Sequence, residues 1–93
     1  MVKEVRAAHI LVKGEPKAKE LLEKLKKGDS FDALAKECSE CPSKKRGGDL
    51  GWFTRGRMVR EFENAAFAGE KGALVGPVKT QFGWHIIKVL DKK

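Results

Sequence analysis

The sequence contains no apolar run near the ~18 residues that a membrane-spanning helix needs, and its first apolar patch, in MVKEVRAAHILVK, has charge on both sides. No span, signal peptide or lipid anchor is expected, and the cytoplasm is the expected compartment. Acidic side chains are scarce where basic ones gather. Between residues 41 and 60, Asp49 stands alone against Lys44, Lys45, Arg46, Arg55, Arg57 and Arg60. Glycine is nearly missing from the first half: Gly14 and Gly28 precede residue 47, and the other eight of the ten fall between Gly47 and Gly83. That split leaves room for helices early and predicts short strands joined by tight turns later. Cysteine is limited to Cys38 and Cys41. A zinc site wants four protein ligands, yet there is no second Cys-x-x-Cys, and His9 and His85 are distant in sequence. A thioredoxin-like pair should open a helix, whereas Pro42, directly after Cys41, closes one. No metal and no redox centre is expected.

What is present suffices for one small domain. Ninety-three residues, 41% of them hydrophobic, supply a single core and exclude disorder. The net charge of +7 suits a partner that is anionic in whole or part. Val5–Val12 reads as a strand with two apolar faces, hence one in the middle of a sheet. Pro16 starts a helix carried by Ala18, Leu21, Leu22 and Leu25 and stopped at Gly28. Asp29-Ser30 caps a second helix with Phe31, Leu34, Ala35 and Cys38 on its inner face, so Cys38 is a core residue and Cys41 a loop thiol. Asp49–Thr54 is a second strand and Val59–Ala68 a third helix, with Phe62, Ala65 and Ala66 inward. Val75–Lys79 is extended and, because of Pro77, an edge. Trp84–Leu90 is the last strand. This order gives an α+β domain with helices packed on a small antiparallel sheet.

Each of the two histidines lies in an apolar strand, in AAHILV and in GWHIIKV. A buried imidazole needs a partner for each ring nitrogen, and the nearest chemistry on offer is the other imidazole or a hydroxyl. The stretch Arg46-Gly47-Gly48-Asp49-Leu50-Gly51 lacks the lysine and hydroxyl of a phosphate loop and leads into a strand. The mixture of Trp52 and Phe53 with Arg55 and Arg57 resembles a single-strand nucleic-acid binder, but it is equally an ordinary strand end, and nucleic acid is not the expected partner.

His9-Ile10-Leu11-Val12-Lys13, Cys41-Pro42-Ser43, Gly47-Gly48-Asp49-Leu50-Gly51-Trp52-Phe53, Gly56-Arg57-Met58-Val59 before Phe62, Gly76-Pro77-Val78 and Gln81-Phe82-Gly83-Trp84-His85-Ile86-Ile87-Lys88-Val89 occur in order across nearly the whole chain. In these motifs it resembles the parvulin family of peptidyl-prolyl cis/trans isomerases, and within it the minimal single-domain members. The resemblance implies a four-stranded antiparallel sheet surrounded by four helices, in the order β-α3-β-α-β2, the short fourth helix lying near Pro42–Lys45. It implies a catalytic group of His9, His85, Cys41 and Thr80, and an apolar proline pocket of Leu50, Met58, Phe62 and Phe82. It further implies client segments containing proline as substrates, and no cofactor.

The turn after the first strand, Lys13-Gly14-Glu15-Pro16-Lys17, holds no basic cluster of the phosphate-reading kind, so selectivity for phosphoserine or phosphothreonine before proline is not implied. Lys44, Lys45 and Arg46 follow Cys41 closely and are expected to overhang the same pocket mouth, where they can meet acidic substrates. A holdase that grips proline-containing chains is the alternative of another class. Lys17, Lys19, Lys24, Lys26 and Lys27 on the first helix also suit weak attachment to anionic membrane. A monomer is expected.

Overall fold

The computed structural model describes residues 2–40 and 42–93, apart from the side chain of Ser43. The chain runs β1 (Glu4–Val12), α1 (Glu15–Lys26), α2 (Phe31–Cys38), a short 3-10 helix (Pro42–Arg46), β2 (Asp49–Thr54), α3 (Arg60–Ala68), β3 (Leu74–Thr80) and β4 (Gly83–Lys92). The strands form one antiparallel sheet in the order β2-β1-β4-β3. The sheet and element order agree with the expected α+β fold. Of the four expected helices three are α-helical, and the one anticipated near Pro42–Lys45 is the 3-10 turn Pro42–Arg46.

Local signals account for the boundaries. Pro16 occupies the first turn of α1, where its missing N–H costs nothing. Ser30 caps α2, its Oγ accepting from the Ala33 N–H at 3.2 Å. No side chain caps the start of α3. Instead the carboxylate of Glu63, one turn in, accepts from the backbone N–H of Gly56 and from Nη1 of Arg55, and so ties the preceding loop to the helix.

Period-two alternation in the two central strands sends residues to opposite faces. Ala8, Ile10, Val12 and Ile86 pack under α1 and α2 with Ala18, Leu21, Leu25, Phe31 and Leu34. Cys38 is half-buried against this cluster, as its place on the inner stripe of α2 implies. Val5, Ala7, Ile87 and Val89 pack with Phe53, Phe62, Ala66 and Phe67 beneath α3. Apolar side chains on both faces explain why β1 and β4 are the central pair. The edges are β2 and the proline-bearing β3, whose register shifts between Val75 and Val78.

Candidate active site

His9 and His85 stand on the α3 side of the sheet. In the β1–β4 register His9 opposes Ile87 and Leu11 opposes His85, so the histidines are diagonal neighbours on one face. Their rings stack with centroids 5.1 Å apart and planes 17° from parallel, and the two Nδ1 atoms are 2.9 Å apart. Phe62 meets both rings edge-on at 5.4 Å. The backbone carbonyl of Gly48 accepts from the His9 N–H at 3.0 Å. A Cβ at Gly48, whose φ is +86°, would lie 2.3 Å from the His9 carbonyl oxygen, so glycine is required where this loop crosses β1.

A chain of hydrogen bonds couples the tautomers. Thr80 Oγ1 accepts from the Phe82 N–H at 3.2 Å and lies 2.7 Å from His85 Nε2. The hydroxyl keeps a second lone pair and its proton, so it pairs with His85 Nε2 in either tautomer of that ring. Across the 2.9 Å gap one Nδ1 donates to the other, so the tautomers of the two rings are coupled. His9 Nε2 is buried and has no hydrogen-bond partner among the described residues. Burial pushes the pKa of His9 down to about 4, helped by the neighbouring His85, and burial does the same to His85. Both rings are neutral at pH 7, as the relay requires.

Above the rings opens a cleft of about 470 Å³. Leu50 from β2, Met58 and Val59 ahead of α3, Phe62 from α3 and Phe82 from the β3–β4 turn supply apolar walls, and His9 and His85 line it from within. The histidines are 5% and 4% exposed, whereas Phe82 is 51% exposed, which places the rings at the floor and Phe82 at the mouth. Leu11, Glu40, Pro42 and Arg57 complete the lining.

The structure thus brings together His9, His85, Leu50, Met58, Phe62 and Phe82 in one cleft and sets Thr80 behind His85. Cys41 lies outside the described residues. None of Lys44, Lys45 and Arg46 lines this cleft itself; Lys45 and Arg46 border a neighbouring hollow that shares Pro42 and Leu50 with it. The physical reason is the path of the chain, which coils through the 3-10 helix and turns at Gly47 and Gly48, both at positive φ, to meet β1. The cation that does line the cleft is Arg57. The sequence places it in the motif Gly56-Arg57-Met58-Val59 without a site role, and its position directly before Met58 is the signal that points to the cleft. Among the described residues there is no group of three or more side chains fit to hold a metal ion.

Two neutral, mutually bonded imidazoles beneath an apolar cleft, on a sheet ordered β2-β1-β4-β3, define the parvulin class of peptidyl-prolyl isomerase. The model of the PPIC-type PPIase domain matches residues 1–93, and the chain belongs to that family. It is 57% identical over 90 residues to the foldase protein PrsA of Geobacillus kaustophilus, covering 96% of this chain and 32% of that protein. The crystal structure of the peptidylprolyl isomerase PrsA from Bacillus anthracis superposes with a TM-score of 0.97 at 47% identity, over 99% of this chain and 43% of that one. NmPin, the parvulin of Nitrosopumilus maritimus, superposes with a TM-score of 0.86 at 44% identity, over 96% of this chain and 97% of its own. The chain spans about a third of the length of the curated PrsA relatives it matches.

Proposed function

We propose that this domain accelerates rotation about X–Pro bonds in extended segments of client proteins by a non-covalent route. The observation that carries the reading is the apolar cleft closed by a neutral imidazole pair. Amide resonance holds the X–Pro bond planar behind a barrier of roughly 18–20 kcal/mol, and uncatalysed exchange takes tens to hundreds of seconds. No bond has to be made. Twisting the amide removes resonance, lowers the dipole at oxygen and makes the prolyl nitrogen more basic. Walls such as Met58, Phe62 and Phe82 favour the less dipolar twisted state. The imidazole pair at the floor is a fixed, neutral electrostatic surface that planar and twisted amides engage unequally. Such a difference between ground and transition state is what raises the rate. Thr80 and His85 act one step back, holding the tautomer of His9.

Apolar walls at the mouth favour uncharged residues such as Ala, Leu, Met or Phe before proline, and phosphoserine is expected to gain no large advantage. Exchange spectroscopy on Ala–Pro and Leu–Pro peptides, with and without a chelator, tests this. Catalysed exchange unaffected by the chelator supports it. Peptide binding without faster exchange overturns it in favour of a holdase.

The proposed setting is the cytoplasm, where the domain works as a monomer. Binding of α1 to anionic membrane is proposed to be weak at most. Lys17 and Lys24 lie 3.8 and 3.7 Å from Glu20, and Lys19 lies 3.8 Å from Glu15, so the helix neutralises part of its own charge.

A further inference from the structure

We propose that Arg57 is a charge-specificity residue that receives an acidic side chain of the substrate, on one side of the proline, in a cleft contiguous with the proline pocket. The inference rests on the isomerase reading above and names a substrate class for it.

Arg57 is exposed and borders two clefts at once. One is the proline pocket. The other, of about 390 Å³, runs along the edge strand β2 past Trp52 and Thr54 towards Glu4. Leu50, Arg57 and Met58 are common to both, so they form the ridge between them. A chain seated with its proline against Met58 and Phe62 can continue over this ridge, and it must then pass the guanidinium.

Arg55 and the carboxylates nearest Arg57 are already engaged, and Arg57 is not. Arg55, two residues earlier, pairs with Glu63 at 3.3 Å and lies 4.3 Å above the Phe67 ring. Glu63 also holds the Gly56 N–H, so the backbone leading to Arg57 is anchored. Glu4, in the second cleft, pairs with Lys93 at 3.5 Å. Glu40, on the far lining of the proline pocket, accepts from the Lys13 N–H at 3.1 Å. Arg57 makes no ion pair or hydrogen bond with any described residue. A cation on an anchored loop, beside an apolar pocket and without a partner of its own, is suited to a carboxylate brought by the ligand, which its planar fork can hold in two bonds. Lys45 and Arg46 border another hollow, on the Pro42 side of Leu50, and the triple variant below separates their contribution from that of Arg57.

The test uses the whole chain and a peptide series that keeps Ala directly before the proline, with a single Glu placed two or three residues before the proline or one to three residues after it. Catalytic efficiency is read by exchange spectroscopy and compared with the all-neutral peptide. At physiological salt a gain of about three- to fivefold is expected at positions on one side of the proline, carried mainly by KM, and it should fade towards ~1 M salt. In Arg57→Gln the ratio of acidic to neutral peptide should fall to about one, while in the triple variant Lys44→Gln, Lys45→Gln, Arg46→Gln it should persist. The Trp52 indole N–H resonance should move on binding the favoured Glu peptide and move less in Arg57→Gln. An equal gain on both sides of the proline would show diffuse attraction to the +7 chain and overturn the proposal. So would no gain anywhere, or a gain that survives Arg57→Gln and disappears with the triple variant. Failure of the neutral peptide itself to exchange faster would instead bring down the isomerase reading, and this proposal with it.

Discussion

Lowering the pH should destabilise this fold well before its carboxylates titrate, because two imidazoles are buried neutral. Unfolded, each has a pKa of 6.5; folded, each is held to about 4. The unfolded chain therefore binds more protons between these values, and stability must fall as pH falls through that window. At about pH 4.5 an unfolded imidazole is almost wholly protonated and a folded one about a quarter so, which relative to pH 7 costs about 2.4 kcal/mol for one ring. The rings lie with Nδ1 atoms 2.9 Å apart, so protonating one opposes protonating the other. The pair together should cost about 5 kcal/mol, a large part of the 5–15 kcal/mol that holds a typical domain together. Urea denaturation followed by tryptophan fluorescence and far-ultraviolet circular dichroism measures it directly. The His85→Gln variant should lose about half of the pH dependence or more. Should that variant fail to fold, nuclear magnetic resonance titration of the wild-type imidazoles decides the matter. Stability that changes by less than about 1 kcal/mol between pH 7 and 4.5, or imidazoles that titrate near 6.5, would refute the neutral-pair account.

Thr80→Val removes the hydroxyl bonded to His85 Nε2, and should cost about 1–3 kcal/mol through the nitrogen left unpaired. It should also slow isomerisation by releasing the tautomer of His9, which double-jump unfolding and exchange spectroscopy would separate. Gly48→Ala forces a Cβ to within 2.3 Å of the His9 carbonyl at a φ of +86°. It should destabilise the chain by more than about 1 kcal/mol, and an unchanged thermal midpoint would contradict that. Met58→Ala and Phe62→Ala should impair substrate handling more than Cys41→Ser. Phe62, 2% exposed and in contact with both histidines, should also lose about 3–5 kcal/mol of stability. A covalent adduct on Cys41 in mass spectra, with inactivation by the serine variant, would revive nucleophilic catalysis.

Much of the architecture was written in local pattern. Two apolar faces in Val5–Val12 announced a central strand, Ser30 announced the start of α2, and Pro77 announced an edge, because periodicity, capping and a missing N–H act within a few residues and need no partner from afar. The motifs also named, through the family they resemble, the residues that meet in the cleft. What they left open depends on contacts between distant segments. His9 and His85 are 76 residues apart, and only the β1–β4 register, with its shift between Arg6 and Ala7, sets them diagonally on one face with Nδ1 against Nδ1. The coupling of their tautomers, and of His85 to Thr80, follows from that geometry, and no periodicity contains it. The choice of cation at the mouth is of the same kind. Lys44, Lys45 and Arg46 are nearer to Cys41 in sequence, yet none of them lines the cleft itself. Glu63, meanwhile, fastens the Arg55–Gly56 loop so that Arg57 borders the cleft. Sequence sets which side chains are available to a site, but their placement is decided by strand register and loop anchoring, which are properties of the packed chain as a whole.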